Sequence, residues 1–243
     1  MIFGSENIST FSKSNMAIWH ALAIQGGILN AGGFLACGYF VSHLSGYLTL
    51  SPMALYSESL SQSMLFLLPV FTFFLGAFFS GILIDRNLRG KGKPKYYLVF
   101  GILFISSAVL SLKGEDLFGP FSSQKGSFDE MKLLLFLSFL CGLQNGMITL
   151  VSKAIVRTTH VTGLITDLGI GVSRELARRD LTELNDERRS NLMRIGIIVF
   201  FFFGSLIGFY TFDAYSFAGF GIPALISGTL FGLTLFFQLI KKT

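Results

Sequence analysis

Charge is what this chain has least of. Asp, Glu, Lys and Arg make up 14% of its 243 residues, whereas soluble domains carry about 25%. So few charges cannot cover the surface of a soluble fold of this size, but they suffice where most of the surface faces lipid. Cysteine is nearly absent too. Cys37 and Cys141 both lie in apolar stretches, which argues against a disulfide framework and for small buried side chains. The three His and two Cys have no metal-ligand spacing, so no metal is expected. The chain has no Gly-rich strand-to-helix phosphate loop and no Gly-x-Ser-x-Gly elbow. No cofactor is expected, and the chain does not read as an enzyme.

What it has instead is apolar length. Hydrophobic residues reach 51%, with 28 Phe and 27 Gly, and the mean hydropathy is +0.63. A bilayer core about 30 Å thick needs roughly 20 apolar residues in a helix. Six stretches approach that length: Met16 to Val41, interrupted by Gly26-Gly27 and Gly32-Gly33, then Met64 to Ile84, Tyr96 to Leu112, Leu133 to Val156, Ile195 to Phe212 and Phe217 to Ile240. The expected fold is an all-α integral membrane protein, a single membrane domain over residues 1–243 with about six transmembrane helices. A cleaved signal peptide is not expected. Lys13 would be its only n-region charge, and the first apolar stretch is too long for an h-region.

The basic residues give the expected orientation. Arg86, Arg89, Lys91, Lys93 and Lys95 crowd the second joining segment. Arg157, Arg174, Arg178, Arg179, Arg188, Arg189 and Arg194 crowd the fourth. With six crossings these segments share one side with Lys13, Lys241 and Lys242, so that side holds 15 of the Lys and Arg against 3 on the other. Basic residues stay cytoplasmic. Both termini are therefore expected inside a plasma (inner) membrane, with the lipid bilayer as the partner. The pI of 9.3 is then a topology signal, not a nucleic-acid footprint. Within the fourth segment, residues 172–194 read as a charged cytoplasmic helix, with Glu175 and Arg179 at i,i+4 and Asp186 and Arg189 at i,i+3.

The chain also repeats itself. Gly27-Ile28-Leu29-Asn30 followed by His43-Leu44-Ser45-Gly46 is matched by Gly142-Leu143-Gln144-Asn145 followed by His160-Val161-Thr162-Gly163. The Asn-to-His spacing is 13 residues in one copy and 15 in the other. The first repeat covers about residues 15–112 and the second about 133–240. Three spans per repeat would set the two in opposite orientations, the inverted plan of many secondary transporters, whose sites lie near the midplane. Gly46 and Gly163 suit a backbone turn, and Ser45 and Thr162 suit caps of short following helices. Those helices, Tyr47 to Leu60 and Leu164 to Leu176, are too short to cross the membrane and read as broken, re-entrant or interfacial.

These segments resemble a known family. Phe40-Val41-Ser42-His43-Leu44-Ser45-Gly46 is similar to the first motif of the YoaK-like small integral membrane proteins, a bacterial group also labelled domain of unknown function 1275. Gly142-Leu143-Gln144-Asn145 and Arg157-Thr158-Thr159-His160-Val161-Thr162-Gly163-Leu164-Ile165-Thr166-Asp167 resemble its second motif more closely. The first motif departs where Ser45-Gly46-Tyr47 replaces the usual Thr-Gly-Asn, and Asn30 stands where Asp is common. The resemblance implies a multi-spanning bacterial membrane protein and supplies no substrate.

The candidate solute-binding residues follow from the motifs. Arg157 offers a planar fork of donors, and His160 titrates near neutral pH. Thr158, Thr159, Thr162 and Asp167 accompany them. Asn30, Gln144 and Asn145 are polar inside apolar spans, and His43 and Ser45 stand in the first motif. The expected function is that of a small secondary transporter or channel for a polar or anionic solute. The alternative is a non-transporting scaffold or sensor working through residues 172–194. Six short helices enclose little volume, which is compatible with a homodimer.

Overall fold

The structure, a computed structural model, describes residues 13–89, 94–122, 128–151, 161–177 and 181–240. Among the described residues the regular structure is entirely helical. Helices α1 (Lys13–Cys37), α2 (Leu44–Ser57), α3 (Leu60–Arg89) and α4 (Tyr96–Phe118) form the first part. The second comprises α5 (Phe128–Val151), α6 (Val161–Ala177), α7 (Leu181–Tyr215) and α8 (Gly221–Leu235), with a 3-10 turn at Ser216–Phe220 between the last two. Among the described residues, four runs are long and apolar enough to cross a membrane: Leu60–Ile84, Tyr96–Phe118, Phe128–Leu150 and Leu184–Gln238, the last passing through both α7 and α8. Helix α1 is 25 residues long but carries Asn15, His20, Gln25 and Asn30, which lower its hydropathy. Asn15, Gln25 and Asn30 are buried, as polar groups of an apolar bundle must be.

Helices α1 and α5 form the centre. The apolar window of α5 is 67% buried, against 28% for that of α3, and α3 turns Phe71, Phe74 and Phe78 outward. Helix α1 packs chiefly on α7, and α3 on α5. Both contacts are made backbone to backbone. A Cβ at Gly27 would overlap the carbonyl oxygen of Phe201, and one at Gly204 that of Ile24. The same holds at Gly142 against Phe73 and at Gly76 against Phe139. Small residues permit such close approach between membrane helices. The glycine pairs of the first span are therefore contact points inside a continuous helix, not breaks in it. Helices α4 and α8 meet reciprocally: Gly101 faces the ring of Phe231 and Gly228 the ring of Phe104, with the two rings stacked at 6.4 Å. That exchange requires α4 and α8 to run antiparallel.

The short helices occur where expected. Helix α2 starts about one turn early, at Leu44, so Ser45 lies inside its first turn. Helix α6 is described from Val161 on, and Thr162 lies within it. The N-cap of α2 is His43, with no side-chain capping hydrogen bond. Gly46 is helical as well, and a Cβ there would meet open space. Gly163 also lies in the first turn of α6. The backbone turn is made earlier, at Gly38. Its φ is 73° and its N–H bonds the carbonyl of Phe34 at 2.8 Å. A residue of this conformation just past the last turn ends a helix, and only Gly adopts it without strain.

The charged segment 172–194 is divided between two helices. Glu175 bonds Asn191 at 2.6 Å, whereas one straight helix would hold those residues about 24 Å apart. The end of α6 instead folds back along the start of α7. The ion pairs join helices: Arg188 to Glu175 at 3.7 Å and Arg174 to Glu187 at 3.8 Å, with Arg194 to Glu187 at 3.2 Å inside α7. These pairs run between the two helices as well as along α7, and the expected Glu175 to Arg179 pair involves a residue outside the described ones. Arg178 and Arg179 lie outside the described residues.

Candidate solute cavity between two helix starts

The chain leaving α1 at Gly38 does not continue outward. It returns along α1, driven by three contacts. Val41 is fully buried and seats where Gly33 has no side chain. The Val41 carbonyl accepts from Ser138 Oγ of α5 at 3.1 Å. Ser42 reaches Asn30 Oδ1 through its N–H at 3.3 Å and its hydroxyl at 3.2 Å. His43 Nε2 then stands 3.2 Å from Asn30 Nδ2. Asn30 lies about two turns, or roughly 10 Å, before the end of α1. The first residues of α2 thus sit level with the inside of the bundle, not at its end.

The first turn of α2 opens onto a cavity of about 440 Å³. Ser42, His43, Ser45 and Gly46 line one side, and Val161 and Thr162 of α6 the other. The two repeated motifs, more than a hundred residues apart in sequence, therefore meet across one space. The start of α2 and the first described turn of α6 both face it. Unpaired N–H groups and the positive end of the macrodipole make such starts favourable to anions. Gly46, with no side chain, leaves the wall open.

The remaining candidates divide. Asn30 is buried and reaches the cavity through His43 and Ser42. Gln144 does not face it. Its carboxamide accepts from Gln25 Nε2 at 2.9 Å and donates to the carbonyl of Leu22 at 3.0 Å. Gln25 in turn accepts from Ser227 Oγ at 2.9 Å, so the group ties α1, α5 and α8 together. Asn145 is buried on α5. Asp167 is exposed, farther along α6. Arg157, Thr158, Thr159 and His160 lie outside the described residues. Sequence reasoning missed Gln25 and Ser42. Gln25 carries the same signal as Gln144, a polar side chain inside an apolar span. Nothing in the sequence marks Ser42 beyond its place in the motif.

Comparison with known families supplies the context. Residues 18–233 match the family described as Protein of unknown function (DUF1275). The chain belongs to the DUF1275 family. Comparison with curated proteins and with solved structures finds no match. The cavity-lining residues, all of α5 and α1 from residue 18 onward fall inside the matched region of this DUF1275 protein.

Proposed function

We propose that this DUF1275 protein is a small membrane transporter or channel that passes a polar or anionic solute through the cavity between α2 and α6. The observation that carries the reading is that the start of α2 and the first described turn of α6, one from each repeated motif, share one cavity at the depth of Asn30. Interrupted helices that aim their N-termini at a central site are the recurring plan of secondary transporters. Its architecture in this reading is two three-span halves of opposite orientation, α1, α3 and α4 against α5, α7 and α8, each carrying one short re-entrant helix. The reciprocal packing supports this. Helix α1 meets α7 as α5 meets α3, Gly27 and Gly142 hold matching places, and α4 and α8 exchange a Gly-x-x-Phe contact. The charged junction of α6 and α7 lies in the cytoplasm in this arrangement, and the junction of α2 and α3, which has no Lys or Arg, lies outside.

The test is a thermal-shift screen of the purified full-length protein in detergent against anions, nucleosides, sugars and amino acids. Each hit is then followed as a tracer into proteoliposomes. A ligand at about 100 times its dissociation constant stabilises the folded state by roughly 2.7 kcal/mol. The expected outcome is a hit that enters vesicles and is lost in Thr162→Val. A folded protein that binds and moves none of these solutes returns the weight to a scaffold or sensor.

A further inference from the structure

The hydrogen bonds around Asn30 decide where the proton of His43 sits. A backbone N–H can only donate, and that of Ser42 donates to Asn30 Oδ1. The carboxamide orientation is thereby determined, and its NH₂ group is the atom 3.2 Å from His43 Nε2. That group has no acceptor capacity, so Nε2 must accept. His43 is therefore the neutral tautomer with its proton on Nδ1. Asn30 is only 4% exposed, whereas His43 is open to the cavity. A proton arriving from cavity water finds one lone pair on the ring, at Nε2, and can take it only by breaking the bond from Asn30.

We propose that the solute is a small anion entering the cavity together with one proton, and that His43 Nε2 carries that proton. The inference rests on the cavity being the solute path. Among the described residues the cavity wall has no Lys, Arg, Asp or Glu, and α6 presents only Val161 and Thr162 to it. On its other side His43 faces an aromatic pocket whose titratable groups are Tyr39 and Tyr47. The Tyr47 hydroxyl already donates to the carbonyl of Phe40 at 2.9 Å. No described cation meets an anion in this space until His43 protonates. The step is simple. A proton from water adds to the Nε2 lone pair, the Asn30 amide is released, and the imidazolium pairs with the anion. Departure of both on the far side restores the neutral ring, and no other bond changes. The Phe40 ring, 4.6 Å from that of His43, keeps the imidazole in place in either state. Linkage requires anion binding to favour protonation as strongly as protonation favours the anion.

The experiment is a pH titration of the full-length, ¹⁵N-histidine-labelled protein in lipid nanodiscs, from about pH 5 to 8, the range in which histidine titrates. His43 is assigned by its loss in His43→Gln, and nitrate and acetate are the probe anions. The expected result is an Nδ1–H tautomer at high pH. At least one saturating probe should raise the His43 midpoint by about one pH unit, a tenfold preference of the anion for the protonated form. Asn30→Ala, confirmed folded by its melting transition, should lose the tautomer preference. An Nε2–H tautomer in the parent protein, or a midpoint unmoved by both anions, overturns the proposal. Flux of the same anions in proteoliposomes separates the two readings. A midpoint that responds without flux leaves this inference standing and removes the transport reading. Flux with an indifferent His43 does the reverse.

Discussion

Where α2 folds back onto α3 the contact is uncharged, and where α6 folds back onto α7 it is ionic. In the first, Ser51 and Ser63 share a buried hydrogen bond of 2.9 Å, and the chain turns through Glu58 and Ser59, whose N–H groups both bond the carbonyl of Ala54. In the second, Glu175, Glu187, Arg174, Arg188, Arg194 and Asn191 knit the two helices together. The two hairpins share a plan: a short helix whose first described turn lines the common cavity, laid along a long one. The difference teaches that shape and charge answer to separate demands. The cavity requires the fold-back in both halves. In the proposed topology, the membrane's preference for basic residues on one side requires the charge in only one.

The comparison breaks most severely at the contacts the halves share. Gly27→Leu and Gly142→Leu each force a side chain into the backbone of the facing helix. Each is expected to cost about 3 kcal/mol or more and to abolish the monodisperse peak in size-exclusion chromatography. Gly81→Leu, where a Cβ meets open space, should leave the peak intact. A difference between Gly27→Leu and Gly142→Leu larger than either's difference from Gly81→Leu would sink the equivalence of the halves.

The next effect separates the hairpins. Glu187→Gln removes the partner of both Arg194 and Arg174 and is expected to destabilise by about 2 kcal/mol, since hydrogen bonds to charged groups are the stronger kind. The loss should shrink at high salt, because the exposed Arg174 pair is screened. Ser63→Ala should cost about 1 kcal/mol with no dependence on salt. Thermal denaturation at low and high ionic strength reads both. Equal salt dependence in the two variants would erase the distinction.

Smaller again is Gln25→Leu, which leaves Gln144 and Ser227 each short of a partner. Polar contacts between membrane helices are worth about 1 kcal/mol, so a modest fall in melting temperature with retained folding is the expected result. The gentlest perturbation is a pair of exposed cysteines, Ser57→Cys at the end of α2 and Asn185→Cys near the start of α7. Neither should alter stability. In intact cells a membrane-impermeant maleimide should reach only the first, and the second only after permeabilisation. Labelling of both from one side would overturn the opposite placement of the junctions.

Much of the fold is legible in the residues. Apolar length marks α3, α4, α5 and the run through α7 and α8, because a helix in lipid needs about 20 such residues whatever its neighbours are. The short helices α2 and α6 are legible to within a turn. The start of α2 is misread, because a Ser near a helix start signals a cap by type alone, while the real boundary depends on where Val41 and Ser42 dock on α1 and α5. The charged segment is misread for a related reason. Glu175 and Arg179 have helical spacing, but Glu175 reaches Arg188 and Asn191 across the junction, and such contacts leave no periodic trace. Of the site, His43, Ser45, Gly46 and Thr162 are found from the repeat. Gln144 is selected by the same polarity rule and turns out to serve the bundle, because a buried carboxamide bonds whichever partner lies nearest.

The sequence by itself determined the class of this protein, its apolar spans and the existence of two matching motifs, since these follow from composition and spacing along one dimension. Only the tertiary structure decided that the motifs share a cavity. It also decided that Asn30 grips the returning loop and that α1 packs on α7 rather than on its neighbour in the chain. Those outcomes depend on which glycines meet which backbones and on the paths chains take between helices, and neither is written in any single segment.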